Sequence, residues 1–250
     1  MFRFFALVVL LLGFQYTDGK RQCPSNCTIS GRFGDPLVIP DGLCTIETGS
    51  NCNAAIRFHY HENRYYLSFS TAFVSMYSRF IYALTSNYLS YSISFSCSHS
   101  NDCAMEFAKK KVLDLASRNY SSQLVGLELN PFLNEYRQPG NQLVCYDGDR
   151  CSGPVCQIEY DTKSKSSRKR GCNFEDIPAR VSVYDGGSYS TFDINCNRTA
   201  CNSPETYIKI KEIFARHNLT DADGRINGVP ILTTSFSIVL TLIVAFGFVL

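Results

Sequence analysis

The sequence predicts an α+β, β-rich fold of two small disulfide-stapled modules, each closed by an amphipathic helix. Three observations carry the prediction. The 12 cysteines of the 250-residue chain divide six and six. Each group ends in a strand-like segment, a close cysteine pair and a helical pattern. Between those landmarks, apolar residues alternate with a period of two. Hydrophobic residues make up 45% of the chain, an ordinary globular share that speaks against wholesale disorder. A net charge of +2 excludes a strongly basic nucleic-acid binder.

So many cysteines imply disulfides if the chain is exported, and both ends predict export. Residues 1–19 read as a signal peptide: Arg3 is the positive n-region, Phe4 to Leu12 is a short apolar run, and Thr17 and Gly19 are small residues before the cleavage point. At the other end, Ile231 to Leu250 carries no charge. Small residues Ala222-Asp223-Gly224, a spacer from Arg225 to Ser235 and a tail from Phe236 to Leu250 form a GPI-attachment pattern. Ala222 is the expected attachment residue because Gly224 then takes the third position; Asp221, Asp223 and Asn227 are alternatives. Residues 223–250 would leave as a propeptide, placing the chain on the outer leaflet of the plasma membrane. A single-pass protein with a C-terminal transmembrane helix is the competing location, disfavoured because no Lys or Arg follows the apolar run. Four glycosylation sequons, at Asn26, Asn119, Asn197 and Asn218, fit a surface glycoprotein.

The first module, 20–130, holds Cys23, Cys27, Cys44, Cys52, Cys97 and Cys103. The second, 143–222, holds Cys145, Cys151, Cys156, Cys172, Cys196 and Cys201. A turn-rich stretch from Asn130-Pro131 to Pro139-Gly140-Asn141 sets a linker over 131–142. Leu89 to Cys97 is the clearest strand, with Leu89, Tyr91, Ile93, Phe95 and Cys97 on one face and four serines on the other. Arg64 to Phe73 alternates likewise. Arg180–Tyr184 and Ser188–Ile194 flank Asp185-Gly186-Gly187 as a hairpin. Helices follow each close cysteine pair. In the first, Met105, Ala108, Val112, Leu115 and Ala116 form the buried stripe, and Lys109, Lys110 and Lys111 point outward. In the second, Ser203 caps, Pro204 takes the first position, and Tyr207, Ile210, Ile213, Phe214 and His217 face the core. The matching ends of the modules point to a tandem duplication. Cys97–Cys103 and Cys196–Cys201 are the two expected disulfides, since loops of five and four residues can close within about 7 Å between Cα atoms. The other pairings stay open.

Motifs of chemistry are scarce. The sequence has no zinc-protease motif, nucleophile elbow or nucleotide-binding glycine loop. His59 and His61, two apart on an expected strand, share a face and could seed a metal site, but sequence supplies no third ligand, so no metal or cofactor is expected. Asp221 to Ile226 resembles part of an EF-hand loop, yet Leu219 and Pro230 stand where calcium needs oxygen ligands. Lys163, Lys165, Arg168, Lys169 and Arg170 crowd eight positions. They read as a solvated loop, as a contact for an anionic partner, or as a processing site after Arg170, whose fragments a Cys156–Cys172 bridge would hold together.

Cys196-Asn197-Arg198-Thr199-Ala200-Cys201-Asn202 and Leu143-Val144-Cys145-Tyr146 resemble the closing and opening motifs of Ly6/uPAR-type three-finger domains, over residues 143–202. The resemblance implies GPI anchoring, a Cys196–Cys201 bond and β-fingers that present a protein-binding surface. The cysteine doublet usual in that family is missing, because Asn195 precedes Cys196. The functional expectation is a non-enzymatic, GPI-anchored glycoprotein that binds an extracellular protein or glycan. An anchored hydrolase with a site gathered from distant residues and a structural coat protein are the alternatives.

Overall fold

The computed structural model of the chain describes residues 20–72, 77–135, 143–146, 150–151, 154–175 and 177–227, with 150–151 as backbone. The expected signal peptide, the apolar tail, Phe73 and residues 136–142 of the expected linker lie outside them. The first part contains β1 (Arg21–Ser25), β2 (Cys27–Arg32), β3 (Thr45–Gly49), β4 (Cys52–His59), β5 (Arg64–Ser70), β6 (Tyr77–Leu84), β7 (Leu89–Cys97), α1 (Cys103–Ala116) and α2 (Ser122–Leu133). The second contains β8 (Leu143–Val144), β9 (Arg150–Cys151), β10 (Val155–Asp161), β11 (Ser166–Asn173), β12 (Arg180–Asp185), β13 (Ser190–Cys196) and α3 (Pro204–Arg216). The fold is β-rich with several disulfides, as the sequence predicts.

Nine strands form one antiparallel sheet in the order β11-β10-β13-β12-β6-β7-β4-β5-β2. β1 pairs with β3 and β8 with β9 in two small sheets. From the β12–β6 junction outward, each side runs through the third, fourth, first and second of four consecutive strands. Cysteines stand at matching places: Cys52 opposes Cys97 across β4–β7, and Cys156 opposes Cys196 across β10–β13. The two parts therefore share one continuous sheet.

The expected alternation is what lays these strands down. Leu89, Tyr91, Ile93 and Cys97 of β7 are buried, as are Tyr65, Leu67 and Phe69 of β5. The Asp185-Gly186-Gly187 turn joins β12 and β13 as an antiparallel hairpin. All three described helices cover one face. α1 lies over β4, β7 and β5, and its Phe107 stacks on Phe95 at 3.9 Å. α2 touches β6, β13 and α3. Tyr207 of α3 stacks on Tyr160 at 3.8 Å, and Phe192 meets both Tyr207 and Phe214. The Ser203 hydroxyl caps α3 by accepting from the Thr206 N–H at 3.2 Å, ahead of Pro204 at the helix start.

Cys97–Cys103 and Cys196–Cys201 are both formed, with Cα atoms 6.2 and 6.1 Å apart. The remaining described bridges are Cys23–Cys52, Cys27–Cys44 and Cys145–Cys156. Cys172 is disulfide-bonded too, but not to Cys156, which is taken by Cys145.

Three local expectations change. Lys111 does not point outward; it is 4% exposed. Spacing explains this, because 111 falls three residues after buried Ala108 and four before buried Leu115. The buried stripe is Ala104, Ala108, Lys111, Val112 and Leu115, while Met105 and Ala116 are half-buried. Next, Asn130 and Pro131 belong to α2 rather than to a turn. Gly126 and Pro131 disguise that helix in sequence, yet Gly126 has a packing reason: a Cβ there would stand 3.1 Å from the Thr85 carbonyl oxygen. Finally, the basic run is no simple loop, because Arg168, Lys169 and Arg170 belong to β11, an edge strand.

The sheet junction rests on a buried ion pair. Arg79 of β6 stands opposite Asp185 of β12, with Nη2 donating to Oδ2 at 2.8 Å and exposures of 6% and 0%. Asp185 also accepts from the N–H groups of Gly187 at 2.7 Å and Ile226 at 3.1 Å. Asp185→Ala leaves Arg79 buried without its counter-charge and is expected to cost about 3–5 kcal/mol in denaturant unfolding; an unchanged midpoint would show that the junction does not depend on the pair.

Lys111 generates a second prediction. Its ammonium lies 3.9 Å from Asp114 and 5.9 Å from the Phe107 ring centre. Burial lowers its pKa from 10.5 to about 8, against the pull of Asp114. Between those two values the unfolded chain binds more protons than the folded one, so this group makes stability rise with pH. Lys111→Met should be more stable than the parent at pH 7 by about 1–3 kcal/mol, and the difference should close toward pH 10.5. Chemical unfolding of both proteins across that range measures it.

Candidate functional site

With every described helix on one face, the other face of the sheet carries no described helix. Its side chains follow from register. One row runs Thr28, Ser68, Ala55, Ser94 and Ser78 across β2, β5, β4, β7 and β6. The next runs Ser30, Tyr66, Arg57, Ser92 and Phe80, and a third Arg32, Arg64, His59, Ser90 and Tyr82. Small residues in the first row sink beneath the larger ones beside it. The result is a trough of about 480 Å³, lined by Thr28, Ala55, Arg57, His59, Glu62, Tyr66, Ser68, Ser92 and Ser94 among others. That volume lies within the range of small-ligand sites.

Among the described residues, the Arg57 guanidinium and the Ser68, Ser92 and Ser94 hydroxyls have no side-chain hydrogen-bond partner. They line the trough as unengaged donors, and the hydroxyls also as acceptors. Aromatic rings extend the surface. Tyr66 meets the His59 ring edge-on at 5.3 Å, Tyr88 lies 4.3 Å from the His61 ring and 5.6 Å from Tyr82, and Arg180 stands over Tyr82. Phe80, 38% exposed, sits opposite Tyr184 on the same face.

His59 ends β4 and His61 lies in the following turn, so the two are not on one strand, yet their rings come within 5.6 Å. The missing third donor is Glu62: donor atoms of His59, His61 and Glu62 lie within 4.8 Å of one another. A transition ion could draw these three together with a modest contraction. As it stands the cluster is bonded without an ion, His59 Nδ1 to the Tyr88 hydroxyl at 3.3 Å and His61 Nε2 to Glu62 at 3.1 Å. Burial, helped by His61 and Arg57, holds the His59 pKa below its ordinary value against the opposing effect of Glu62. The second such grouping, Cys97, His99 and Cys103, offers no thiolates because its cysteines are bonded to each other.

The basic run lies at the far edge of the sheet, away from the trough. Arg168 pairs with Asp161 and stands over Tyr189, and Arg170 stands over Tyr146. Lys169 opposes Glu159. Strand alternation sends Lys169 and Arg170 to opposite faces, so the five charges do not converge on one surface. Charged residues on an edge strand also oppose unwanted strand pairing. Of the sequons, Asn26, Asn119 and Asn218 are exposed at left-handed turn positions, and Asn197 is half-buried with its Oδ1 accepting from the Glu135 N–H at 3.2 Å.

The trough is not legible in the sequence. The serine alternation in β7 was visible, but which strands flank β7, and in what register, was not. Among the described residues no helix is long and apolar enough to cross a membrane. No family model, no curated protein and no solved structure matches this chain.

Proposed function

We propose that this chain is a GPI-anchored extracellular glycoprotein, without enzymatic activity, that binds a glycan at the cell surface through the open face of its sheet. The observation that carries the reading is the trough. Hydroxyls, a guanidinium and a carboxylate line it beside the Tyr66 ring. Sugars offer the complementary groups: vicinal hydroxyls for charged and hydroxylic side chains, and a CH face for a ring. Protein partners generally want large apolar anchors at the centre of the contact, and the floor here is Ser and Ala. The leader pattern, four sequons, dense disulfides and apolar tail support the location. We read the matching four-strand-plus-helix halves as two modules produced by tandem duplication.

One observation favours a second reading, an anchored hydrolase: His59 and Glu62 meet at one end of the trough. Turnover of a glycan substrate abolished by His59→Ala would establish it.

The first reading is tested by saturable binding of the purified glycoprotein to an array of cell-surface glycans. Tyr66→Ala and Arg57→Ala should each weaken binding tenfold or more, about 1.4 kcal/mol, with the melting temperature unchanged. An empty array together with one saturable protein partner on intact cells would replace the glycan by a protein. No partner of either kind would leave the structural coat.

A further inference from the structure

Resting on the GPI-anchor reading, we infer that the lipid is joined to Asn227, five residues beyond the position that spacing alone selects. Spacing favours Ala222, but the residues after Ala222 are part of the folded core. The chain leaves α3, doubles back through a tight loop and returns antiparallel, with Thr220 bridged to Ile226. The Asp221 carboxylate holds the loop by accepting from the N–H groups of Asp223 at 3.0 Å and Arg225 at 2.8 Å. Gly224 turns it at φ 85°, where a Cβ would come within 2.9 Å of the Phe192 ring.

The returning arm is buried and bonded. Ile226 is 2% exposed and its N–H donates to Asp185. Arg225 reaches the same carboxylate at 3.6 Å and donates to the Gly187 carbonyl. The Asn227 carbonyl accepts from the Tyr91 hydroxyl at 3.3 Å and from Arg118 at 3.0 Å. Cleavage after Ala222 would remove all of this. Asp185 would lose two of its partners, the buried Tyr91 hydroxyl would lose its acceptor, and the Ile226 site would become a cavity.

Attachment at Asn227 keeps every one of these contacts. The Asn227–Gly228 C–N bond breaks and a C–N bond to the ethanolamine nitrogen forms. The Gly228 amine leaves with the propeptide, taking the proton that the ethanolamine amine gives up. One amide replaces another, so the carbonyl oxygen still accepts from Tyr91 and Arg118. Gly228 then follows the attachment residue as a small residue, and Val229, larger than is usual there, takes the third position. Pro230 to Ser237 gives an eight-residue spacer and Ile238 to Leu250 a 13-residue tail, both within the lengths such signals have.

The test uses the full chain expressed in animal cells, released with phosphatidylinositol-specific phospholipase C and cut before aspartates. Mass spectrometry should find Asp223-Gly224-Arg225-Ile226-Asn227 bearing ethanolamine phosphate together with the glycan and inositol phosphate that the phospholipase leaves attached. A modified peptide ending at Ala222, or at any residue other than Asn227, overturns the assignment while leaving the anchor itself established. Resistance to the phospholipase with the apolar tail retained overturns the anchor reading, and the assignment falls with it.

Discussion

The ion pair between Arg79 and Asp185 is the constraint around which the molecule is organised. Directly opposed on the two central strands, these residues join the first four-strand group to the second. Buried ion pairs contribute little net stability compared with apolar packing, but an unpaired buried charge is costly. Any slip between β6 and β12 would separate the charges, so their value lies in register. A one-residue slip would also turn Ile81 and Ala83 away from the core. The same carboxylate receives the N–H of Ile226, so the junction and the returning C-terminal arm close on one atom group.

Around that junction the disulfides act locally. Cys97–Cys103 and Cys196–Cys201 each tie the end of a sheet strand to the segment that leads into a helix. They fix where α1 and α3 begin, which determines how Phe107 and Tyr207 meet the sheet. Cys23–Cys52 closes a longer loop and fastens the β1–β3 ribbon to β4. Bridges of this kind stabilise mainly by restricting the unfolded chain. Apolar packing sits between helices and sheet, where Phe58, Leu67, Ile81, Val183 and Phe192 are fully or almost fully buried.

Much of this was legible because simple periods carry it. β7 could be bounded to the residue, as nine consecutive positions alternate between apolar and serine. The cap of α3 and the two local disulfides were readable for the same reason: each depends on neighbours in sequence. α2 was hidden because Gly126 and Pro131 read as chain breaks, whereas Gly126 is there to let the helix approach the β6–β7 turn. The lysine run invites an outward reading of Lys111, although its helical position puts this last member inward. Glu62 does not read as a partner of the histidines in sequence because a turn, not a strand, brings it to them. The trough was out of reach for a deeper reason. It is made by Thr28, Ser68, Ala55 and Ser94, on four strands whose lateral order is a property of the folded sheet alone.

The segregation of all described helices to one side has a consequence for how such a chain can change over generations. Side chains such as Ser68, Ser92 and Ser94 hold nothing in place, since the packing that stabilises the sheet lies behind them. Exchanging residues of this sort shifts stability by no more than about 0.5 kcal/mol. The exposed lattice of side chains can therefore drift, or be selected, almost independently of the scaffold. Mutational tolerance and molecular identity are separated by the thickness of a single β-sheet.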